Sequence, residues 1–83
     1  MNDEGIADHI EKLVTEEHEL RHREEADRDL DSLDADRERL RSVEIELDRC
    51  WDLLRQRRAL RSAGGDPDDA QLRDADTVEH YRQ

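Results

Sequence analysis

The chain has 83 residues, which suits one small domain, and it has a net charge of -11 with 47% charged and 33% hydrophobic residues. A negative charge of this size disfavours binding to nucleic acids and to anionic membrane surfaces. No run approaches the roughly eighteen apolar residues of a membrane-spanning helix, so we expect neither nucleic-acid nor membrane partners.

Apolar residues in the first third of the chain recur at the spacing of an amphipathic helix. Taking about 100° of rotation per residue, four of them share one stripe: Ile6, Ile10, Leu13 and Leu20. No Gly or Pro interrupts residues 7–62. We therefore expect a first helix from about Ile6 to about Ala26.

A second apolar stripe has the same helical spacing and consists of Leu33, Leu40, Val43, Leu47, Trp51 and Leu54. Asp34 can cap the amino end of this helix, which we expect to run from about Ala35 to Ser62. Trp51 is predicted to anchor the core, with an exposed contact to a partner as the alternative. Cys50 lies at the edge of the stripe and has no His or second Cys at metal-binding spacing, so we expect a buried, inert thiol.

The segment between the two stripes, DRDLDSLD (residues 27–34), is rich in Asp, which is a poor helix former and favours turns. We expect the chain to reverse here. Residues 1–65 then form an antiparallel, coiled-coil-like hairpin of two helices, and the fold class is all-α. The alternative is one continuous helix through residues 7–62, which would leave each stripe exposed unless a partner chain covered it.

A short capping helix and tail, residues 66–83, are expected to follow the hairpin. The two glycines at positions 64–65 favour the end of the second helix. The Asp-Pro pair that comes next is typical of a helix start, so we expect a short helix from about Pro67 to Arg73. The tail has Val78 and Tyr81 three residues apart, enough for one helical turn that docks on the hairpin.

Three parts of the sequence resemble one known family. They are EEHELR (residues 16–21), LDRCWDLLRQRRALRSAGGDPDDA (residues 47–70) and VEHYRQ (residues 78–83). These segments resemble the small actinobacterial family classified as domain of unknown function 2630, and CWDLLRQRRA followed by GDPDDA is the most specific part. The resemblance implies a small helical protein, and no activity comes with it.

The pentapeptide HELRH, His18 to His22, matches the His-Glu-x-x-His zinc motif of metalloproteases. Both His side chains and Glu19 point roughly 120–220° away from the first apolar stripe, toward solvent. The extended metzincin pattern is missing, because Glu25 and Arg28 stand where it needs Gly and His. We therefore favour a solvated helix face over non-catalytic metal binding, and both over a zinc-dependent hydrolase.

Glu17 falls within about 20° of the first apolar stripe, so its carboxylate needs a partner. In an antiparallel hairpin that turns near residue 31, positions summing to about 62 lie opposite one another. Glu17 then faces Ile45, with Arg41 and Arg49 one turn away. We favour an ion pair that fixes the register of the helices, with a ligand-binding or catalytic carboxylate as the alternative.

A cluster of arginines lies in the segment RQRRALR near the end of the second helix. Arg58 and Arg61 are expected to meet Asp3 and Glu4 at the amino end of the first helix. The alternative is an anion or phosphate site formed by Arg55, Arg58 and Arg61, because guanidinium groups match phosphate geometry. No Gly-rich phosphate loop accompanies them.

The apolar residues Ile45, Leu53 and Leu60 are not explained by a hairpin alone, since they lie roughly 140–220° from Leu40 on the second helix. The tail, a second copy of the chain or another protein should cover them. We expect a homodimer, in which two hairpins form a four-helix assembly through these three residues.

These patterns favour a non-enzymatic interaction or regulatory protein that needs no cofactor and that binds itself or an unidentified protein. An anion- or nucleotide-binding regulator is the first alternative, and a zinc-dependent hydrolase is the second. The start MNDEGIADHI has no signal-peptide pattern, and a single cysteine allows no internal disulfide. We therefore expect a cytoplasmic protein.

Overall fold

Two long helices form the body of the protein, which a computed structural model describes for residues 2–26, 30–76 and 78. Helix α1 spans Asp3–Ala26 and helix α2 spans Leu30–Ser62. A short 3₁₀ turn, Pro67–Asp69, follows α2. The described residues contain no strand. The predicted all-α helical hairpin is confirmed.

Helix α1 begins three residues earlier than we expected, because Asn2 caps it. The Asn2 side-chain oxygen accepts a hydrogen bond from the Gly5 N–H at 2.8 Å, and its carbonyl accepts one from the Ile6 N–H at 3.0 Å. Asp3 and Glu4 lie in the first turn, where their negative charges interact favourably with the positive end of the helix dipole. A capped, acidic first turn therefore extends the helix beyond its apolar stripe.

Helix α2 also begins earlier than predicted, at Leu30 rather than near Ala35. Asp34 is consequently a residue of the helix interior and not its cap, and the second half of the Asp-rich segment is helical. Asp31 lies in the first turn, where a negative charge is favourable even though Asp is a poor helix former. Helix α1 ends at Ala26 and α2 begins at Leu30, and the first part of the Asp-rich segment lies outside the described residues.

The core lies along the contact between the two helices. Helix α1 contributes its four predicted stripe residues, and α2 contributes Leu40, Val43, Leu47, Cys50 and Leu53. Val14 and Leu54 pack against this cluster, as does Ala70 from the segment after the 3₁₀ turn. The tail therefore contributes to the same core as the hairpin.

Ion pairs between the helices show that they run antiparallel. Arg23 meets Asp36 at 3.0 Å near the reversal, and Asp3 meets Arg57 at the opposite end of the hairpin. Between them, Arg39 donates to both carboxylate oxygens of Glu16, at 2.7 and 2.9 Å. These pairs lie mostly at the surface, so they define the register more than they add stability.

The predicted ion pair of Glu17 across the hairpin is wrong. The Glu17 carboxylate lies 3.7 Å from Arg21, one turn further along the same helix. Its side chain remains 23% exposed and lies beside Leu47 and Trp51. The neighbouring residue Glu16 makes the interhelical pair instead, with Arg39. Glu17 is thus at the margin of the core, where solvent and Arg21 both reach it.

Helix α2 ends in a Schellman motif, as its two glycines indicated. The Gly65 N–H donates to the Leu60 carbonyl at 2.7 Å, and the Gly64 N–H donates to the Arg61 carbonyl at 3.1 Å. Gly64 has a φ of 79°, in the left-handed region that side chains with a Cβ disfavour. The turn then directs the chain back along α2.

We expect Gly64→Ala to lower the free energy of unfolding by about 1–2 kcal/mol, because alanine disfavours the left-handed conformation by that amount. Gly65→Ala is the matched control, since that residue does not have a positive φ and its added Cβ would lie 3.4 Å from the Leu60 side chain, an ordinary contact. Urea denaturation of both variants tests this. Equal losses in the two variants would contradict the assignment of strain to position 64.

The segment after the Schellman motif begins with the expected helix cap, but its helix is shorter than predicted. The Asp66 side chain accepts a hydrogen bond from the Asp68 N–H at 2.9 Å, with Pro67 at the first position. Only three residues, Pro67–Asp69, are helical here, instead of a helix reaching Arg73. Residues 70–74 have no regular secondary structure, whereas Ala75, Asp76 and Val78 are helical, and the Val78 N–H donates to the Asp74 carbonyl at 3.2 Å.

The molecule is elongated, with extents of 53 × 25 × 16 Å, which fits a 33-residue helix at about 1.5 Å per residue. Of the helices within the described ranges, none has an apolar stretch long enough to cross a membrane. The candidate sites lie on the exposed face of α1, between the two helices, and on the outer face of α2.

Candidate functional sites

The HELRH motif lies on the outer face of α1. His18, Glu19 and His22 are all exposed, which confirms that they face solvent. Within the described ranges, neither histidine belongs to a group of three close metal-binding side chains. That HELRH has no catalytic role stays a prediction.

A different group of metal-binding side chains lies where α1 and α2 meet. His9 from α1 and Glu46 and Cys50 from α2 have ligand atoms that all lie within 4.8 Å of one another. The His9 Nε2 atom is 3.9 Å from a Glu46 carboxylate oxygen. His9 and Glu46 are half-buried and Cys50 is buried. We name these three residues the His-Glu-Cys cluster.

The structure places a histidine beside Cys50, although none lies at metal-binding spacing from it in the sequence. The two residues are far apart in sequence, and the hairpin brings His9 across from Cys50. The expected burial of the thiol is confirmed, because Cys50 is only 4% exposed. Burial, and to a smaller extent the charge of Glu46, raise the pKa of Cys50. The antiparallel register and the four-residue spacing from Glu46 to Cys50 were the signals that could have revealed the cluster.

A cavity of about 600 Å³ opens beside the cluster. Both helices and the segment after the 3₁₀ turn line it, with His9, Glu46, Cys50, Leu53, Arg57 and Leu72 among its walls. Its lining mixes apolar side chains with the polar groups of the cluster. Small-molecule and metal sites commonly have this composition.

Arg57 connects three parts of the chain at the end of this cavity. Its guanidinium group forms ion pairs with Asp3 of α1 and Asp68 of the 3₁₀ turn, and it also donates to the Pro67 carbonyl at 3.1 Å. Although it is charged, Arg57 is only 7% exposed. Its hydrogen bond lowers the pKa of Asp3, and Asp3 and Asp68 together raise the pKa of Arg57.

The sequence analysis chose the wrong neighbours for part of the arginine cluster. Arg61 pairs with Asp3 as predicted. Arg58 does not pair with the amino-terminal acids; it is exposed, and it has no ion pair with any residue that the structure describes. Arg57, which the sequence analysis did not single out, forms the second ion pair with Asp3. It can do so because position 57 is on the buried side of α2.

The three arginines of the predicted anion site separate into two groups. Arg61 is held by Asp3, whereas Arg55 and Arg58 are exposed on the outer face of α2. Anion binding by these residues stays a prediction. Only two of the three arginines, Arg55 and Arg58, share an open helix face on which an anion could bind.

The predicted dimer interface of Ile45, Leu53 and Leu60 is largely covered within one chain. Leu53 is buried in the hairpin core and only 9% exposed, so the expectation that it needs a second chain is wrong. Ile45 and Leu60 are half-buried. The Schellman turn covers Leu60, because Gly65 folds back over it.

The tail supplies the rest of this cover by lying along α2. Gln56 donates to the Gln71 carbonyl at 2.7 Å, and Arg49 donates to the Arg73 carbonyl at 2.8 Å. Val78 is 2% exposed. The tail therefore docks on the hairpin. This was the alternative to a dimer interface in the sequence analysis. Tyr81 lies outside the described residues.

Trp51 is not the core anchor that the sequence suggested, because 49% of its surface is exposed. Helix α2 is buried on two sides, by α1 and by the tail, and the middle of the buried face falls near Cys50 and Leu53. Trp51 lies about 100° from the first and about 160° from the second around the helix. It therefore points outward, beside a shallow cavity of about 330 Å³ that Glu17 and Asp48 also line.

Charged side chains flank Trp51 along the outer face of α2. We name as the Trp51 stripe the residues Glu44, Asp48, Trp51, Arg55 and Arg58, which follow one another at alternating spacings of four and three. Trp51 and the two arginines are exposed, and the two acids are half-buried. This spacing keeps all five residues on one side of a helix.

Comparison with known proteins gives a family and close relatives. The model of a family described as a protein of unknown function, DUF2630, matches residues 2–83. Uncharacterized proteins Rv0898c of Mycobacterium tuberculosis and Mb0922c of Mycobacterium bovis are each 53% identical over 73 residues, which cover 88% of this chain and 82% of theirs. No solved structure matches the chain. Because the family model covers almost the whole sequence, the chain belongs to the DUF2630 family.

Proposed function

We propose that this protein is a non-enzymatic interaction module that pairs with a second copy of itself through the Trp51 stripe. The observation that carries the proposal is the 49% exposure of Trp51, the one tryptophan of the chain, on the outer face of a long helix. Tryptophan is enriched among the residues that dominate binding energy at protein interfaces. Its burial against a partner removes more apolar surface than the burial of Leu72, the other large apolar side chain that is exposed within the described ranges.

The spacing of the stripe supports a helix as the surface that covers it. Residues spaced alternately by four and three form the seam along which two helices pack at a small crossing angle. In this stripe the large apolar residue occupies the centre, and charged residues occupy both ends. Two such helices can bury the two Trp51 side chains against each other while their charged ends remain near solvent.

The order of charges along the stripe supports a second copy of the chain as the partner. Two acids, Glu44 and Asp48, precede Trp51, and two bases, Arg55 and Arg58, follow it. When two identical helices pack antiparallel about a two-fold axis, each half of the stripe faces the opposite half of the other chain. Asp48 of each chain then faces the arginines of its partner, and Glu44, which Arg21 of its own chain binds at 2.7 Å, adds negative charge to the same half of the stripe.

Residue positions make this pairing specific. With the axis at Trp51, Glu44 lies seven residues before it and Arg58 seven residues after it, so these two positions coincide across the axis. Asp48 and the partner's Arg55 differ by one residue, which the length of an arginine side chain spans. The stripe thus replaces Ile45, Leu53 and Leu60 as the proposed interface of a four-helix assembly.

A non-enzymatic role is part of the proposal, and the exposure of HELRH supports it. The two histidines of that motif lie on an open helix surface, whereas metalloprotease ligands line a cleft that holds substrate. The anion-binding alternative shares Arg55 and Arg58 with the stripe. Phosphate ions that bound these arginines would therefore compete with dimerisation.

The test is light scattering on the intact protein and on charge variants. We expect a dimer at about 50 µM, where an interface of micromolar Kd is largely associated, and a monomer for Trp51→Ala. Asp48→Arg should also be monomeric, because it places like charges opposite one another. The double variant Asp48→Arg with Arg55→Asp restores opposite charges and should recover the dimer.

The control is Asp8→Arg, which makes the same change of charge at an exposed position of α1 and should leave the dimer intact. Circular dichroism of every variant verifies that the helices are retained. A monomeric mass for the intact protein would refute self-association. A dimer that survives both Trp51→Ala and Asp48→Arg would show that another surface forms the interface.

A further inference from the structure

We propose that the His-Glu-Cys cluster binds a divalent transition metal ion of the zinc class. Imidazole nitrogen, carboxylate oxygen and thiolate sulfur are the three kinds of protein ligand that zinc uses. His9, Glu46 and Cys50 supply one of each, with all ligand atoms within 4.8 Å of one another. The site is distinct from the Trp51 stripe, so it does not depend on the proposed dimer.

The distances suit a metal after a small movement of side chains. Two zinc bonds of about 2.0–2.1 Å at a tetrahedral angle separate nitrogen and oxygen ligands by about 3.4 Å. The His9 Nε2 atom and the Glu46 oxygen are 3.9 Å apart, too far for a hydrogen bond. A metal ion between them would draw the two side chains together by about half an ångström, a change that small side-chain rotations supply.

The two helices hold the ligands in a fixed arrangement. Glu46 and Cys50 are four residues apart on α2, which puts them one above the other on the same helix face. His9 comes from the facing surface of α1, between the buried residues Ile6 and Ile10. Because the ligands lie on rigid helices that pack through the core, the site is largely formed before a metal binds.

The surroundings leave room for a fourth ligand. The cavity of about 600 Å³ beside the cluster is large enough for a water molecule or a small anion. Two cations lie near the cluster. Arg57 on the cavity wall is compensated by Asp3 and Asp68, and Arg49 lies 3.3 Å from a Glu46 carboxylate oxygen, so a metal would compete with it for that carboxylate. Three protein ligands and one exchangeable position therefore describe the site.

The kinds of ligand atom also select among metals. Thiolate and imidazole are soft or borderline ligands that favour zinc, cobalt and copper, whereas magnesium and calcium prefer sites made of oxygen ligands alone. Metal binding deprotonates a coordinating thiol. A cobalt ion bound here would therefore have a sulfur-to-metal charge-transfer absorption, which neither a surface carboxylate site nor HELRH can produce.

The experiment is a titration of the reduced, metal-free protein with Co²⁺, followed by displacement with Zn²⁺. We expect a charge-transfer band that saturates at one cobalt per chain and disappears when zinc is added. His9→Gln and Glu46→Gln should each weaken cobalt binding by about tenfold or more, since even groups that only support metal ligands contribute 10–100-fold. Cys50→Ser should abolish the band.

The control variant replaces both histidines of HELRH, His18→Gln with His22→Gln, and should bind cobalt as the intact protein does. If Cys50→Ser does not fold, cobalt binding by His9→Gln decides the outcome, because His9 is only half-buried. Absence of the band at stoichiometric cobalt overturns the proposal, as does unchanged affinity in both His9→Gln and Glu46→Gln. Loss of binding in the HELRH variant instead would also overturn it.

Discussion

Ile6→Ala is expected to lower the free energy of unfolding by about 2–5 kcal/mol, the range for truncating a buried Ile or Leu to alanine. Ile6 is fully buried in the core between α1 and α2. The substitution removes apolar contacts and leaves a cavity that two rigid helices cannot close. In an 83-residue chain with few large apolar residues, this loss is a major part of a total stability of about 5–15 kcal/mol.

Urea denaturation followed by circular dichroism measures this change. Leu72→Ala is the matched control, because Leu72 is apolar but 46% exposed, and we expect a loss of less than about 1 kcal/mol from it. Protein concentration should be the same in all samples, since a dimer gains stability with concentration. Similar losses at Ile6 and Leu72 would contradict the burial of Ile6 in the core.

Arg57→Leu is expected to destabilise the protein much more than Arg58→Leu, although both substitutions remove one arginine from the same helix. Arg57 is buried and joins Asp3, Asp68 and the Pro67 carbonyl. Its loss leaves those groups without their shared donor and detaches the 3₁₀ turn from the hairpin. Arg57 is the buried member of these pairs and its acidic partners are exposed to solvent, so the expected loss comes from the broken contacts among α2, α1 and the 3₁₀ turn. Arg58 is exposed and makes no such contacts.

The measurement is thermal unfolding of the two variants, together with limited proteolysis of the segment after α2. We expect a clear fall in Tm and faster cleavage near residues 66–73 for Arg57→Leu only. Equal effects of the two substitutions would show that Arg57 does not hold the segment. The sequence analysis had expected Arg58, together with Arg61, to pair with Asp3 and Glu4, so the comparison also tests that correction.

Acid titration gives an independent readout of the same contact. Arg57 lowers the pKa of Asp3 below its ordinary value of 3.8. Because the folded pKa lies below the unfolded one, the stabilisation is complete above about pH 4 and is lost as the pH falls through the folded value. In Arg57→Leu this loss of stability below pH 4 should be smaller, since only Arg61 remains beside Asp3.

The sequence by itself determined that there are two long helices and where each of them ends. Apolar spacing predicted both helices, the double glycine predicted the end of the second one, and the Asp-Pro pair predicted the cap at Asp66. It also predicted that the two histidines of HELRH face solvent. These features follow from contacts between residues a few positions apart, which the order of residues specifies directly. The early starts of α1 and α2 were missed because acidic residues favour a first helical turn despite their low propensity.

Only the tertiary structure decided which sides of α2 are buried and which residues meet across the hairpin. Covering by both α1 and the tail turns Leu53 inward and Trp51 outward, which reverses their expected roles. The same packing selects Arg57 over Arg58 for the pair with Asp3, and it brings His9 to Cys50. Each outcome depends on residues far apart in sequence and on the rotation of a helix about its axis. Neighbouring residues of a helix point about 100° apart. Apolar spacing in the sequence therefore does not decide which residue lies at the centre of the buried face.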